Sequence, residues 1–463
     1  MPVSYGDDCP IAAFATSPGW SALTLIRCSG KGALELAATV FSPGEKLLQA
    51  AGNTILHGWI VSHNEKIDEV LVSVFRAPKS YTGEDSLDIS CHGGIAAGRG
   101  VMAVLRAAGF RDALPGEFTF RAFMNGKLDL TRSESVMELV SARTDTSRSH
   151  AVSRLSGTLE KEINEIKQKL VEILSRAEIF LDYSEDEIGA DTDEVAGRLP
   201  GQDHAREVLA RLHKLAASWQ RERLYQEGIL AVIAGRPNAG KSSLFNLLIK
   251  EERSIVTEIP GTTRDWIEAW VSIEGIPVRL ADTAGLRESH DPVEKIGVER
   301  SRDLLDAAEL VLYVIDGEAG ITGEDRDFIG ELQTAQGKQV LVIWNKADIA
   351  PATTDIAGIS VSAKTGEGIT ELTRAIAKAI EVRAGTATDH SQTAAIGSER
   401  QKNLVEAAAT AVEEALLLAG REEPLDIIAP LLREAVNSLG EITGEVSTAD
   451  ILEEMFSRFC VGK

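Results

Sequence analysis

The sequence predicts a multidomain chain of α/β and all-α parts: a P-loop nucleotide domain inserted in a helical domain, with an α+β domain ahead of both. Three observations predict it. An apolar run of strand length, Ile229 to Ala234, feeds into Gly235-Arg236-Pro237-Asn238-Ala239-Gly240-Lys241-Ser242-Ser243, and helical spacing resumes at Leu244, Leu247 and Leu248. Helical patterns, with apolar residues at steps of three and four, lie on both sides of that region. Residues 1 to about 125 instead mix strand-like runs with one long helical pattern.

In the first of these parts, Ser21 to Cys28, Glu69 to Phe75 and Ser86 to Cys91 read as strands, and Ile95 to Ala108 as a helix opened by His92-Gly93-Gly94. Tyr81-Thr82-Gly83-Glu84-Asp85 sits between two strands, where binding loops and plain turns both occur. The texture changes near Pro115-Gly116-Glu117-Phe118-Thr119. From there to about Gln226 the chain reads as helical, with Leu155, Leu159, Ile163, Ile166, Leu170 and Leu174 as one stripe. After Pro200-Gly201 a second helix is expected over about Gln202 to Glu222, with Val208, Leu209, Leu212, Leu215 and Trp219 inward. The nucleotide domain should end with a helix from Ile369 to Val382. Residues 383–393, small and polar, read as a linker. Helices return from about Ser398, with Leu404, Ala408, Ala411, Ala415 and Leu418 on one face, and Ser447-Thr448-Ala449-Asp450 caps a last helix. Helices on both sides make insertion the economical topology.

Composition narrows the class. At 463 residues and 44% apolar, the chain has room for about three packed domains. No stretch approaches the roughly 18 apolar residues of a spanning helix, and Met1 to Cys9 lack a signal-peptide pattern, so a cytoplasmic protein without membrane association is expected. Cys9, Cys28, Cys91 and Cys460 show no metal-ligand spacing. A formal charge of -23 is the wrong sign for gripping nucleic acid over a broad surface, so RNA contact needs a local basic patch or a partner. The acidic run from Ser184 to Glu194 lacks calcium-loop spacing and reads as solvated.

Four signals after the P-loop specify the nucleotide. In the loop itself, backbone amides around Ala239 and Gly240 cradle phosphates, Lys241 reaches the outer ones, and Ser242 is placed for magnesium. Pro260-Gly261-Thr262-Thr263-Arg264-Asp265, about twenty residues on, can bring a threonine to the same metal. Asp282-Thr283-Ala284-Gly285 ends a strand and can sense metal and terminal phosphate. Asn345-Lys346-Ala347-Asp348 follows another strand, and its Asp348 can accept the N1 and N2 protons of guanine, which adenine lacks. Ser362-Ala363-Lys364 supplies a backbone contact to the base carbonyl. Together these read as a GTP-binding domain. Leu286, where many GTPases place a water-orienting glutamine, cannot hold a water. Asn238 either shapes the turn or ligates a monovalent cation beside the phosphates, and Glu294 is either a helix-surface carboxylate or an indirect positioner of water.

These motifs, with Tyr81-Thr82-Gly83-Glu84-Asp85, Pro115-Gly116-Glu117-Phe118-Thr119, Asn125-Gly126-Lys127-Leu128-Asp129-Leu130 and the terminal Phe459-Cys460-Val461-Gly462-Lys463, resemble the MnmE (TrmE) family of tRNA-modification GTPases. The GTPase motifs alone would also fit ribosome-assembly GTPases of the Era and Der type, but the flanking motifs would not. The resemblance implies an α+β tetrahydrofolate-binding and dimerisation domain at 1–125, a helical domain at 126–226 and 383–463, and a P-loop GTPase domain at 227–382. It implies a homodimer, potassium-stimulated, that works with the FAD-containing partner MnmG (GidA) to place aminomethyl or carboxymethylaminomethyl groups at C5 of the tRNA wobble uridine. By motif, Ser242 and Thr263 would ligate Mg2+, and Asn238, Thr257, Ile259 and Thr262 would ligate K+. Thr257 and Ser243 would also line the GTP site, and Glu294 would hold the hydrolytic water through a second one. Arg27, Glu84, Lys127 and Lys463 would bind 5,10-methylenetetrahydrofolate or 5-formyltetrahydrofolate, and Cys460 would take part in modification. Trp20, bulky after Pro18-Gly19, departs from the family's early turn. Two other readings compete: a nucleotide-switched RNA or ribosome-assembly scaffold, and a one-carbon transferase with a vestigial nucleotide domain.

Overall fold

The computed structural model describes residues 5, 8–17, 19–182, 199–251, 267–282, 303–334, 338–350, 356–384, 394–446 and 449–462. The chain forms two compact units interleaved in sequence, one of Met1–Met137, Glu160–Ala205 and Thr410–Lys463, the other of Glu138–Leu159 and Arg206–Ala409.

The first unit is built on a seven-stranded sheet. Its strands are β1 (Ile11–Phe14), β2 (Leu23–Ser29), β3 (Phe41–Ser42), β4 (Thr54–Ser62), β5 (Glu65–Phe75), β6 (Ser86–His92) and β7 (Arg111–Asp112), in the order β3-β4-β5-β6-β2-β1-β7. Only the β1–β7 pair is parallel. Alternation decides the faces. Ile26, Cys28, Val70, Val72, Val74, Leu87 and Ile89 point to one side and bury against helices Ala33–Val40 and Ile95–Ala108. The other side carries Leu23, Ile55 and Leu71, all exposed, and the Arg27–Asp88 ion pair. Strand β4 escaped the sequence reading because Gly58 interrupts it. The glycine is required there, since a Cβ would stand 2.4 Å from the Ser42 carbonyl and 2.5 Å from the Phe41 ring.

Along helix Thr158–Asp182, which belongs to this unit from Glu160 on, Leu159, Ile163, Ile166, Leu170 and Leu174 are buried, as the stripe predicts. Leu155 does not belong with them. It ends the preceding helix, Asp145–Leu155, and Gly157 at φ 93° separates the two. Near the C-terminus, Phe456 and Phe459 pack with Tyr5, Leu130 and Leu452 in a small aromatic core, so helix Ala449–Ser457 is seated on helix Glu117–Met124.

The second unit holds a six-stranded sheet of order β13-β12-β11-β8-β10-β9, from β8 (Ile229–Gly235), β9 (Ile267–Ile273), β10 (Ile276–Asp282), β11 (Leu310–Asp316), β12 (Gln339–Asn345) and β13 (Ile359–Val361). All pairs are parallel except β9–β10. Strands β8 and β11 are apolar almost throughout because the sheet is covered on both faces. Ala231, Ile233, Leu312 and Val314 enter one core, while Leu230, Val232, Val311 and Tyr313 enter the other. The β9–β10 turn carries Gly275 at φ 83°, with Thr146 Oγ1 only 2.3 Å from where a Cβ would stand, and Arg143 lies 3.9 Å over the Trp270 ring.

Helix Gln202–Glu227 runs past the expected end near Glu222. Glu222 looks like a solvent position in sequence but is buried, accepting from Arg154 Nη1 at 2.7 Å with His150 Nδ1 at 3.1 Å; Arg154 Nε also donates to Glu138 at 2.7 Å. Of the face expected on helix Glu399–Gly420, Ala408, Ala411 and Ala415 are buried, joined by Val405, Val412 and Ala419, while Leu404 and Leu418 are half-buried.

Burial works to raise the Glu222 carboxyl, yet His150 and Arg154 together hold it below the usual carboxylate range. A depressed folded-state value means its contribution to stability is complete above the unfolded value of about 4.3 and is lost as pH falls through the lower folded value. Arg154→Ala removes the guanidinium between the buried Glu222 and the half-buried Glu138 and should cost roughly 3–5 kcal/mol. In urea unfolding, the gap between wild type and Glu222→Gln should narrow as the solution is acidified; a gap unchanged with pH would contradict this assignment.

Candidate nucleotide and folate sites

The P-loop emerges from β8 with three left-handed or near-left-handed residues: Gly235 at φ 139°, Asn238 at 66° and Gly240 at 91°. Two of them are glycine for contact reasons as well. A Cβ at Gly235 would stand 2.2 Å from the Val314 carbonyl, and one at Gly240 would stand 2.1 Å from Asn345 Nδ2. Asn238 adopts the turn conformation and leaves its amide exposed at the mouth of the loop. Lys241 opens helix Lys241–Glu251, and its buried ammonium donates back to the carbonyls of Gly235 and Arg236 at 3.0 and 2.9 Å. Ser242 Oγ donates to Asp282 Oδ2 at 2.7 Å, which joins the loop to the end of β10. A hydroxyl and a carboxylate side by side at the mouth of a phosphate loop are hard oxygen donors suited to magnesium. Ala239 is buried beneath the loop and Ser243 is exposed on the first helical turn.

The loops expected to contact the base meet at Asn345. Its Nδ2 donates to the Ala239 carbonyl at 2.8 Å and its Oδ1 accepts from the Ala363 amide at 3.0 Å. Asp348 is exposed and accepts from the fully buried Ser362 hydroxyl at 2.7 Å, which orients the carboxylate. Lys346 stands at φ 68° and pairs with Asp316 Oδ2 at 2.6 Å. Burial works to raise Asp316, but Lys346 and the amides of Glu318 and Ala319 hold it below the usual range, and the hydrogen bond to Asp316 lifts Lys346 in turn. Lys364 is exposed beside this loop. Asp316, at the end of β11, was absent from the sequence reading because it belongs to no contiguous motif. Thr257, Ile259, Thr262, Thr263, Thr283, Ala284, Gly285, Glu294 and Lys463 lie outside the described residues.

In the first unit, three residues expected at a folate converge on the loop 78–85. Arg27 pairs with Asp88 at 3.1 Å and lies 5.7 Å over the Tyr81 ring. Glu84 accepts from Ser29 Oγ at 2.9 Å and faces Arg121. Lys127 donates to the Pro78 carbonyl at 3.0 Å, and its stem packs against Gly83. A carboxylate suits the aminopyrimidinone edge of a pterin, and cationic side chains suit the glutamate tail, so the donor set fits a reduced folate. Trp20 is 95% exposed and therefore fills no space in this cluster.

The chain end lies against the same unit. The Cys460 carbonyl accepts from the Gly116 amide at 3.2 Å, its side chain is exposed, and Gly462 packs on β1, where a Cβ would stand 2.4 Å from the Phe14 carbonyl. Among the described residues no helix is long and apolar enough to cross a membrane.

Comparison with known proteins agrees along the whole chain. The MnmE helical domain matches residues 130–460, and the GTP-binding protein TrmE N-terminus matches residues 10–127. The tRNA modification GTPase MnmE of Treponema denticola is 42% identical over 478 residues, covering 99% of each chain. The proteins of the same name from Carboxydothermus hydrogenoformans and Symbiobacterium thermophilum are 40% and 41% identical, each over 98% of this chain and 99% of the relative.

Two outcomes follow from the geometry. Asp348→Asn removes the acceptor for guanine's two protons, so nucleotide titration should show GTP affinity down by at least about a hundredfold and xanthosine triphosphate favoured instead; undiminished GTP binding would exclude Asp348 as the base contact. Gly116 stands at φ 67°, with the Phe456 carbonyl 2.7 Å and Phe459 Cβ 2.8 Å from an added Cβ. Gly116→Ala should unseat the terminal segment at a cost of about 1 kcal/mol or more, seen as faster amide hydrogen exchange over residues 456–462.

Proposed function

This chain belongs to the MnmE family of tRNA modification GTPases, and from that premise we propose that it is a potassium-stimulated GTPase driving modification of the tRNA wobble uridine. The observation that carries the reading is Asn345, whose amide joins the phosphate loop to the loop behind Asp348 and so presents one guanine nucleotide to both.

When bound, magnesium and potassium supply positive charge beside the β- and γ-phosphates, and the folate supplies a one-carbon unit. The rest falls to the chain's own groups. Lys241 would exchange its two loop carbonyls for phosphate oxygens, so its charge is held in reserve within the loop. Ser242 and Asp282 would hold magnesium with Thr263. Asn238, already exposed at the loop's mouth, would hold potassium with Thr257, Ile259 and Thr262. Leu286 cannot orient a water, which is why a cation and Glu294 are assigned that work. Glu84 would accept from the pterin edge of 5-formyl- or 5,10-methylenetetrahydrofolate, with Arg27, Lys127 and Lys463 toward the tail and Cys460 nearby.

The proposal includes a homodimer formed through the N-terminal domain, whose sheet leaves Leu23, Ile55 and Leu71 uncovered on one face. It includes a partnership with the flavoprotein MnmG, which would supply the basic surface for tRNA that a chain of charge -23 lacks, in the cytoplasm. The domain assignment 1–125, 126–226, 227–382 and 383–463 is part of the same reading.

The test is partner-free GTP turnover in potassium against sodium. At least about tenfold faster hydrolysis in potassium is expected, with the difference abolished in Asn238→Ala. Equal rates in the two salts would remove self-activation and favour a switch that hydrolyses only with a partner.

A further inference from the structure

Helix Glu117–Met124 grips the loop carrying Glu84 at three points. Thr119 Oγ1 bonds Tyr81 Oη at 2.9 Å, Asn125 at the helix end donates to the Thr82 carbonyl at 2.8 Å, and Arg121 faces Glu84. The charges behind these contacts form a chain. Glu117, with no solvent exposure, accepts from Arg111 at 2.6 and 3.0 Å, from the Leu114 amide at 2.8 Å and from Arg121 Nη2 at 2.9 Å. Arg121 Nη2 also donates to the Cys9 carbonyl at 2.8 Å, while Nη1 stands 3.4 Å from both Glu84 oxygens. Two arginines thus face two carboxylates, and Arg111 alone largely matches Glu117.

We infer that Arg121 is the positioning residue for Glu84, holding that carboxylate in place for the donor pair of a reduced pterin. The distances carry the argument. At 3.4 Å the guanidinium orients the carboxylate by charge without saturating its lone pairs, and Ser29 takes only one oxygen at 2.9 Å. Glu84 therefore stays available, with about a quarter of its side chain exposed (24%), while Arg121 is almost wholly buried (6%). The chain makes room for a planar fork here. Gly30, at φ 136°, would with a Cβ stand 3.2 Å from Arg121 Nη1 and 2.8 Å from Pro10 Cα. A lysine, a point charge on an unforked stem, cannot meet Glu117, Cys9 and Glu84 together.

The inference rests on the folate reading of Glu84, and the experiment separates the two. 5-Formyltetrahydrofolate is titrated calorimetrically into the full-length chain, into Arg121→Gln, Arg121→Lys and Glu84→Gln, and into the Arg121→Gln/Glu84→Gln double variant, with circular dichroism reporting the fold. Both Arg121 variants should bind about tenfold or more weakly, by analogy with other groups that orient a primary contact. The double variant should bind no more than about twofold worse than Glu84→Gln, because Arg121 acts through Glu84. If Arg121→Gln does not fold, Arg121→Lys, which keeps the charge opposite Glu117, carries the test. Wild-type affinity in Arg121→Lys, or a full tenfold further loss on adding Arg121→Gln to Glu84→Gln, overturns the inference while leaving the folate site intact. A wild-type chain that does not bind the folate overturns both.

Discussion

The nucleotide face depends on the two hydrogen bonds of a single buried amide. Asn345 donates to the phosphate loop through Ala239 and accepts from Ala363, so loops after β8, β12 and β13 are held at fixed separation. Its position sets the sequence around it. Gly240 can be nothing larger because Asn345 Nδ2 occupies the space of a side chain, and Ser362 is buried because it must present its hydroxyl to Asp348. An unmade bond to a buried amide costs about 1–3 kcal/mol, and here the loss would fall on three loops at once. The motifs of the sequence are consecutive stretches, but the site is one object because this amide crosses between them.

The N-terminal unit solves a similar problem with charge. Glu117 has no contact with water and is kept by two arginines and a backbone amide. A carboxylate so placed would be costly alone, so its partners are fixed as firmly as it is. The helix that begins at Glu117 thereby becomes a rigid support for the loop 81–85 on one side, and at Gly116 it receives the chain end on the other. Cys460 and Glu84, 376 residues apart by number, answer to one short helix.

What the sequence disclosed follows a physical rule. The stretches holding the P-loop, Asp282, Asp348 and Ser362 stand out in the sequence because the motifs expected of phosphate and base recognition are runs of adjacent backbone and side-chain groups, and these leave short patterns. Helix Ile95–Ala108 and the buried stripe of helix Thr158–Asp182 were legible because one face meets a core with regular period. Strand β4 was hidden by Gly58, whose reason is the ring of Phe41. The end of helix Gln202–Glu227 was hidden because Glu222 reads as polar, and its burial is balanced by Arg154 and His150, 68 and 72 positions away. Arg121 was hidden for the same reason, its partner Glu84 being 37 positions distant. Pairings of this kind have no local signature. The family resemblance supplied Arg27, Glu84 and Lys127 as expected folate contacts, but not the side chains that support them.

The wedged turn at Gly275 has a geometric consequence. A hairpin that ended in open solvent could lengthen or tilt freely, and the residue at its base would follow only its own sheet. Here Thr146 leaves no clearance at the tip, and Arg143 lies flat on Trp270 partway down. The other end of the hairpin is Asp282, beside Ser242. The stretch 143–146, which leads into helix Asp145–Leu155, thus serves as a surveyor's datum from which the height of that carboxylate is measured.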